Sequence, residues 1–308
     1  MFALVARQML MFAAMLALGA FAAQRGIVKR DSVNDVIAVS LKILLPLMLF
    51  SLVYEGSTTR SIFEHAVLIP LAAILYAVLI AVTSMLSGLL HLRCARSAAW
   101  RMVFTFGNTG FIGLPVLVAL FPDSGSVMLA LFMTVDQAIF WTYGLRTAKG
   151  ATGGHALLQF VHAFANPNII AVFGAITLVL VGVSVPTGIA SFLSTMGAAA
   201  TPVCMLCLGA MFQFADVRGL LRFREIAVGV GVKMLAVPLA IGLCLGAMPL
   251  PYDVSVALTM LAAMPATTLV PLTLQAHGGD SEYATVLSVV TIIASVVTMP
   301  LVAGLLWG

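Results

Sequence analysis

Ten apolar stretches of bilayer-spanning length follow one another along this chain, at residues 4–22, 33–53, 65–90, 98–120, 125–146, 166–184, 188–214, 224–248, 252–276 and 281–306. A helix needs about 20 largely apolar residues to cross the hydrocarbon core. Hydrocarbon supplies no hydrogen bonds, so a chain of this pattern must satisfy its backbone within helices. Charged residues make up 8% of the 308, against about 25% in a soluble domain. The expected class is therefore an all-α polytopic membrane protein held in a lipid bilayer.

The position of the charges predicts orientation. Loops after odd-numbered spans hold Arg25, Lys29, Arg30, Arg93, Arg96, Arg101, Arg146, Lys149, Arg218, Arg222 and Arg224, eleven of the fifteen Lys and Arg residues. Loops after even-numbered spans hold Arg60 alone. The positive-inside rule makes the odd loops cytoplasmic and puts both termini outside. The net charge of +4 is explained by this placement and gives no argument for nucleic acid. Arg7, an apolar run and Ala20-Phe21-Ala22 resemble a cleavable leader, but the basic residues that follow favour a retained first span.

Span 4 reads FGNTGFIGLPV from Phe106 to Val116. Gly107, Gly110, Gly113 and Pro115 are poor helix formers, so this span is expected to break at membrane depth. Irregular backbone is tolerated there only against protein or a water-filled cavity. A kinked helix with small residues for close packing is the plainer alternative. Span 9 supplies a matching interruption, AMPATTLVP, with Pro265, Thr267, Thr268 and Pro271. Pro46 and Pro202 are 156 residues apart, as are Pro115 and Pro271, and Asp123-Ser124 echoes Asp280-Ser281 at an offset of 157. With five spans per half the second half enters the membrane from the opposite side. The expected organisation is a first repeat at 1–146, a cytoplasmic linker at 147–165 and an inverted repeat at 166–308. Paired interrupted helices in two inverted halves point to the binding site of a secondary transporter.

GNTGFIGLP in span 4, Asn166-Pro167-Asn168 in span 6, Thr201-Pro202 through Leu208-Gly209-Ala210 in span 7 and AMPATTLVP in span 9 resemble the motifs of the auxin efflux carrier family. The resemblance covers essentially the whole chain and is most specific in span 4. It implies ten helices in two inverted five-helix repeats whose broken spans 4 and 9 cross near the midplane. It also implies that spans 1, 2, 6 and 7 move against the crossover bundle. Plant members export auxin, and bacterial members are commonly assigned as permeases for malate, malonate or similar carboxylates. The compact chain, without a large central loop, resembles a bacterial member of the inner membrane.

Chemistry at the breaks follows from residue type. Half-helix N-termini carry partial positive charge and unpaired N–H groups, which suit a carboxylate. Asn108, Thr109, Gly110, Pro265, Thr267 and Thr268 are the candidate substrate-binding residues. Gly107, Gly113, Pro115 and Pro271 are the candidate helix breakers. Lys42, Asp136 and Lys233 each lie about ten residues from a membrane face, roughly 15 Å deep at ~1.5 Å per residue. Lipid-facing charge there costs about 2.5–3.5 kcal/mol or more, so all three are expected to face the interior. Two cations against one anion suit an anionic substrate. Asp136, with Gln137 beside it, is a candidate for proton or sodium coupling; a structural Asp–Lys pair is the alternative.

Other chemistries lack their signatures. Cys204 and Cys207 form a CxxC without a second pair and read as packing residues. His155 and His162 lack a third ligand, so no metal is expected. There is no HExxH, GxSxG or Walker loop, which argues against an enzyme or an ATP-driven pump. The reading is a secondary carrier of a small organic anion without a resident cofactor. A sodium-coupled symporter or sodium/proton exchanger on a related fold is the alternative. A homodimer is compatible with the sequence, though nothing in it requires one.

Overall fold

The computed structural model describes residues 1–150, 166–214 and 223–307. His155, His162, Arg218 and Arg222, and all of the 147–165 linker beyond Gly150, lie outside the described residues. Helices account for nearly all of what is described. The first part of the chain forms α1 (Phe2–Gln24), α2 (Arg30–Val39), α3 (Leu45–Gly56), α4 (Thr59–Glu64), α5 (Leu68–Leu89), α6 (Cys94–Thr105), α7 (Leu114–Leu120), α8 (Gly125–Ile139) and α9 (Leu145–Ala148). The second part forms α10 (Pro167–Val181), α11 (Thr187–Ala198), α12 (Ala200–Phe214), α13 (Phe223–Gly231), α14 (Val237–Gly246), α15 (Tyr252–Ala262), α16 (Leu269–Ala276) and α17 (Ser281–Trp307).

Several of these join end to end. Among the described residues, seven continuous helices are long and apolar enough to cross a membrane: Phe2–Gln24, Ser32–Gly56, Leu68–Leu89, Gly125–Ala148, Thr187–Phe214, Arg224–Gly246 and Ser281–Trp307. Three shorter apolar helices, Thr109–Leu120, Pro167–Val181 and Tyr252–Ala262, complete the apolar framework. The expected spans 4 and 9 are the two that are interrupted, as Gly and Pro in their middles predict.

Four helices contain a π-helical turn: Ser40–Leu44, Thr109–Gly113, Phe140–Gly144 and Val232–Ala236. Three of them end two residues before a proline, at Pro46, Pro115 and Pro238. A proline ring collides with the carbonyl four residues earlier, here of Lys42, Phe111 and Met234. Each of those residues lies within the π turn, whose wider loop relieves the collision and lets the helix continue. Thus Gly113 and Pro115 do not interrupt span 4 as expected. Gly113 closes a π turn and Pro115 enters α7 in its first turn. Pro271 likewise sits in the first turn of α16, where a missing N–H costs nothing.

The helices pack in two sets. The first combines α1, α2, α3, α10, α11 and α12: α1 lies along α12, while α10 and α11 lie against α3. The α1–α12 approach is backbone-close. A Cβ on Gly19 would come within 2.0 Å of the Leu206 carbonyl oxygen, and one on Gly209 within 1.9 Å of the Leu16 carbonyl oxygen. Without a hydrophobic drive inside lipid, such close packing is what holds two helices together. The second set combines α5 to α9 with α13 to α17, with α5 on α6 and α8, α14 on α15 and α16 on α17. The sets meet where α17 touches α1 and where α8 touches α3 and α10.

Candidate functional site

The two interrupted helices meet at their breaks. After α6 the backbone turns extended at Phe106, and Gly107 pairs with Ala266 in an isolated antiparallel bridge. The Asn108 N–H donates to the Pro265 carbonyl at 2.7 Å, and the Thr267 N–H donates to the Phe106 carbonyl at 3.2 Å. A residue before proline is driven away from helical geometry, which stops α15 ahead of Met264-Pro265. Gly107 is required by the approach itself, because a Cβ there would stand 2.9 Å from the Met264 Cβ.

Three of the helix ends at the breaks are met by side chains. The Asn108 side-chain oxygen accepts from the Phe111 N–H at 3.3 Å and caps the Thr109–Gly113 turn. The Thr267 hydroxyl oxygen accepts from the Leu269 N–H at 3.3 Å at the start of α16. The Ala266 N–H donates to the Thr291 hydroxyl at 3.0 Å. Lys233 Nζ donates to the Ala262 carbonyl at 2.7 Å, at the C-terminal end of α15. An ammonium at that end also opposes the partial negative charge of the helix terminus.

Beside the breaks lies a small cavity of about 20 Å3, room for about one water. Its polar wall is made by Asn108, Thr109, Asp136, Gln137, Asn168 and Thr267, and Leu41, Leu45 and Phe140 close it with apolar surface. Asp136 is buried and receives three donors. The Tyr76 hydroxyl donates to Oδ1, and Oδ2 accepts from Gln137 Nε2 at 2.9 Å and from the Thr109 hydroxyl at 3.5 Å. Gln137 Oε1 in turn accepts from Trp141 Nε1 and Asn166 Nδ2, each at 3.3 Å. The Tyr76 ring is held between Phe106 and Phe132, with centroids 5.8 Å from each. Among the described residues, two buried side-chain atoms on the cavity wall have no partner, Asn108 Nδ2 and Asn168 Oδ1.

The structure thus brings together Gly107, Asn108, Thr109, Gly110, Asp136, Gln137 and Thr267. Pro265 contributes its carbonyl to the pairing of the breaks. Thr268 is buried but does not line the cavity. Pro271 lines a separate polar cleft of about 280 Å3 with Arg30, Asn34, Gln275 and Glu282. Lys42 departs from the expectation of an inward-facing charge. It is exposed beside Val39 and Ile43, because its neighbours Leu41 and Leu45 occupy the inner face of the same helix. Lys233 is buried and near enough to Asp136 to act on its charge, but its ammonium is bonded to Ala262. Of the three expected interior charges, one anion and one cation are buried, so the predicted excess of positive charge is absent.

Tyr76 and Asn168 join the site without having been singled out. Tyr76 is one tyrosine in an unbroken apolar span, with no local signal. Asn168 belongs to the Asn-Pro-Asn start of α10, where a pair of amides flanking a proline at a span entrance was the available sign.

Comparison with known proteins agrees with the architecture. The model of the membrane transport protein family matches residues 4–303. An uncharacterized transporter of Methanothermobacter thermautotrophicus is 25% identical over 288 residues, covering 90% of this chain and 90% of its own. With a family match that runs nearly from end to end over an apolar helical framework, the chain belongs to the membrane transport protein family that includes the auxin efflux carriers.

Proposed function

We propose that the protein is a secondary transporter of a small carboxylate-bearing molecule and works by alternating access. The observation that carries this reading is the cavity between two interrupted helices, with unpartnered buried polar atoms on its wall. A buried polar group without a partner is uncommon and calls for a ligand or an ordered water. Interrupted helices at membrane depth are the means by which carriers expose backbone and polar side chains to cargo.

The same reading takes the seven long and three shorter apolar helices as ten crossings in two inverted five-helix repeats. The antiparallel pairing of Phe106–Asn108 with Pro265–Thr267 supports it, since the two breaks meet head to tail. Spans 1, 2, 6 and 7 form the set that moves against the rest. The polar cleft between α2 and α12 on one side and α16 and α17 on the other supports a sliding boundary there. The distribution of Arg and Lys orients this cleft to the cytoplasm and both termini to the outside of a bacterial inner membrane.

Asp136 is the coupling group in this scheme. It is the buried acid on the cavity wall, and its hydrogen-bond partners sit on α5, on the Thr109–Gly113 turn and on α8. Proton coupling through a carboxyl needs that group to meet the cargo's compartment, which the cavity allows.

The test is uptake of a labelled panel of short mono- and dicarboxylic acids and indole acids into proteoliposomes, with pH and sodium gradients imposed separately. Saturable uptake of one acid, driven by either gradient and lost in Asn108→Ala, is expected. Sodium movement without uptake of any acid would replace the organic-acid reading with ion exchange.

A further inference from the structure

Away from the breaks, α1, α12 and α17 enclose a groove of about 250 Å3 among the described residues. Every side chain on its wall is apolar. Small residues make the room. Ala13, Ala17 and Ala20 recur at intervals of four and three on one face of α1, and Gly209 lines the groove from α12 beside its close contact with Leu16. Ile293 and Val296 of α17 form the opposite wall. At the far end α1 and α17 meet, where a Cβ on Gly304 would stand 3.1 Å from the Phe2 ring.

The groove leads from apolar surface to a polar, basic end. Four residues beyond Ala20 and Gly209, on the same two faces, Gln24 Nε2 donates to Gln213 Oε1 at 3.1 Å, and this amide pair is exposed. Arg25 and Lys29 follow, both exposed, and the Arg25 guanidinium lies 4.9 Å from the Phe21 ring centroid. Neither is in an ion pair among the described residues. Apolar wall, amides and cations therefore succeed one another in the order of the tail and headgroup of a phospholipid.

We propose that this groove holds one acyl chain of an anionic phospholipid, whose phosphate accepts from Arg25 and Lys29. An apolar pocket of this kind stays dry, so water does not fill it. From Ala13 to Ala20 it runs about 10 Å at ~1.5 Å per residue, and its volume over that length leaves a slot narrower than a helix of ~10–12 Å diameter. It fits a hydrocarbon chain rather than a helix of a second copy. By the positive-inside rule the basic end lies at the cytoplasmic leaflet, where each basic residue near an anionic surface adds about fivefold in affinity. Because α1 and α12 belong to one helix set and α17 to the other, the lipid bridges the boundary between the sets.

The experiment uses the full-length protein, delipidated in detergent, with palmitoyl-oleoyl phosphatidylglycerol and the phosphatidylcholine of the same chains as probes. Native mass spectrometry counts bound lipid, and thermal melting follows the stabilisation it gives. The parent is expected to bind phosphatidylglycerol saturably and about tenfold more tightly than phosphatidylcholine. Ala17→Trp and Ile293→Trp fill the groove from opposite walls at exposed positions. Each is expected to weaken both lipids by about tenfold, with the melting temperature of the lipid-free protein unchanged. Arg25→Gln with Lys29→Gln is expected to bring phosphatidylglycerol down to the level of phosphatidylcholine and to leave the latter as in the parent. A phosphatidylglycerol with a diazirine on its acyl chain is expected to label residues 13–20 or 289–296 of the parent, which decides the matter even if the tryptophan variants fail to fold. Parent-like lipid binding in both tryptophan variants, or labelling elsewhere, overturns the groove site. Equal affinity for the two lipids overturns the anionic headgroup. A dimer that retains no lipid and dissociates in Ala17→Trp would make the groove a contact between two copies instead. Binding and melting are read without transport, so the carrier reading stands or falls separately.

Discussion

The Asn108 N–H and the Pro265 carbonyl are joined at 2.7 Å, so that the break in one half of the chain is closed by the break in the other. Each interruption leaves backbone groups that lipid cannot satisfy. Each provides what the other lacks: Asn108 donates to Pro265, and Thr267 donates to Phe106. Neither irregular segment is stable alone at this depth. The cavity beside them exists because they stabilise each other.

Gly107→Ala tests that closure. The new methyl would stand 2.9 Å from the Met264 Cβ, so the two segments must shift apart to admit it. The expected cost is about 1–3 kcal/mol of stability with loss of transport, read by thermal denaturation and uptake. Unchanged stability would mean that the breaks are not held as tightly as the distance implies.

Asn108→Ser separates the two jobs of this residue. A serine oxygen still caps the Phe111 N–H, whereas full loss of a cap costs about 1 kcal/mol. The free NH2 donor is gone. Melting temperature is expected to stay close to that of the unmodified protein while the ligand-induced stabilisation disappears. Retention of that stabilisation would show that Nδ2 does not meet the cargo.

Lys233→Met removes a charge-assisted hydrogen bond to the Ala262 carbonyl and leaves Asp136 without its nearby cation. Hydrogen bonds to charged groups contribute about 1.5–3 kcal/mol, and the expected destabilisation lies in that range. Chemical denaturation in detergent measures it. A variant as stable as the parent would show that the α15 terminus is held by other contacts.

Tyr76→Phe deletes the hydroxyl that donates to Asp136 while leaving the ring between Phe106 and Phe132. The expected loss is about 1–3 kcal/mol from an incompletely satisfied buried acid. The pH profile of uptake is expected to change, because one of the donors to Asp136 is missing. Asp136→Asn is expected to abolish the response of uptake to a pH gradient. An unaltered pH profile in both variants would assign Asp136 a structural role.

The His65–Asp253 contact offers a separate check on the membrane-edge packing. His65 Nδ1 faces the Ser61 carbonyl at 2.7 Å and Nε2 faces Asp253 Oδ2 at 2.9 Å. Both ring nitrogens therefore face oxygen acceptors. His65→Ala is expected to cost about 1 kcal/mol, with little effect on ligand binding, since the pair lies away from the cavity.

The apolar all-helical framework and the two interruptions were legible in the chain because hydrocarbon imposes a length and a composition on anything that crosses it. Gly107, Asn108, Thr109, Gly110 and Thr267 were legible because Gly, Pro and small polar residues in mid-span have few other uses. Which proline breaks a helix was not legible. Pro265 does, whereas Pro115 and Pro271 are absorbed in first turns, one of them behind a π turn. The fate of the buried charges was also decided in three dimensions. Asp136 and Lys233 turn inward and Lys42 outward, a choice set by which helix face meets a neighbour. Tyr76 and Asn168 reach the site from α5 and α10 only through packing. Sequence alone determined that the chain must satisfy its backbone inside a membrane and where it fails to do so locally. Tertiary structure decided what repairs each failure, because the backbone partners of Asn108 and Phe106 lie in the opposite half of the chain, and Thr291 and Lys233 come from helices distant in sequence from the break they serve.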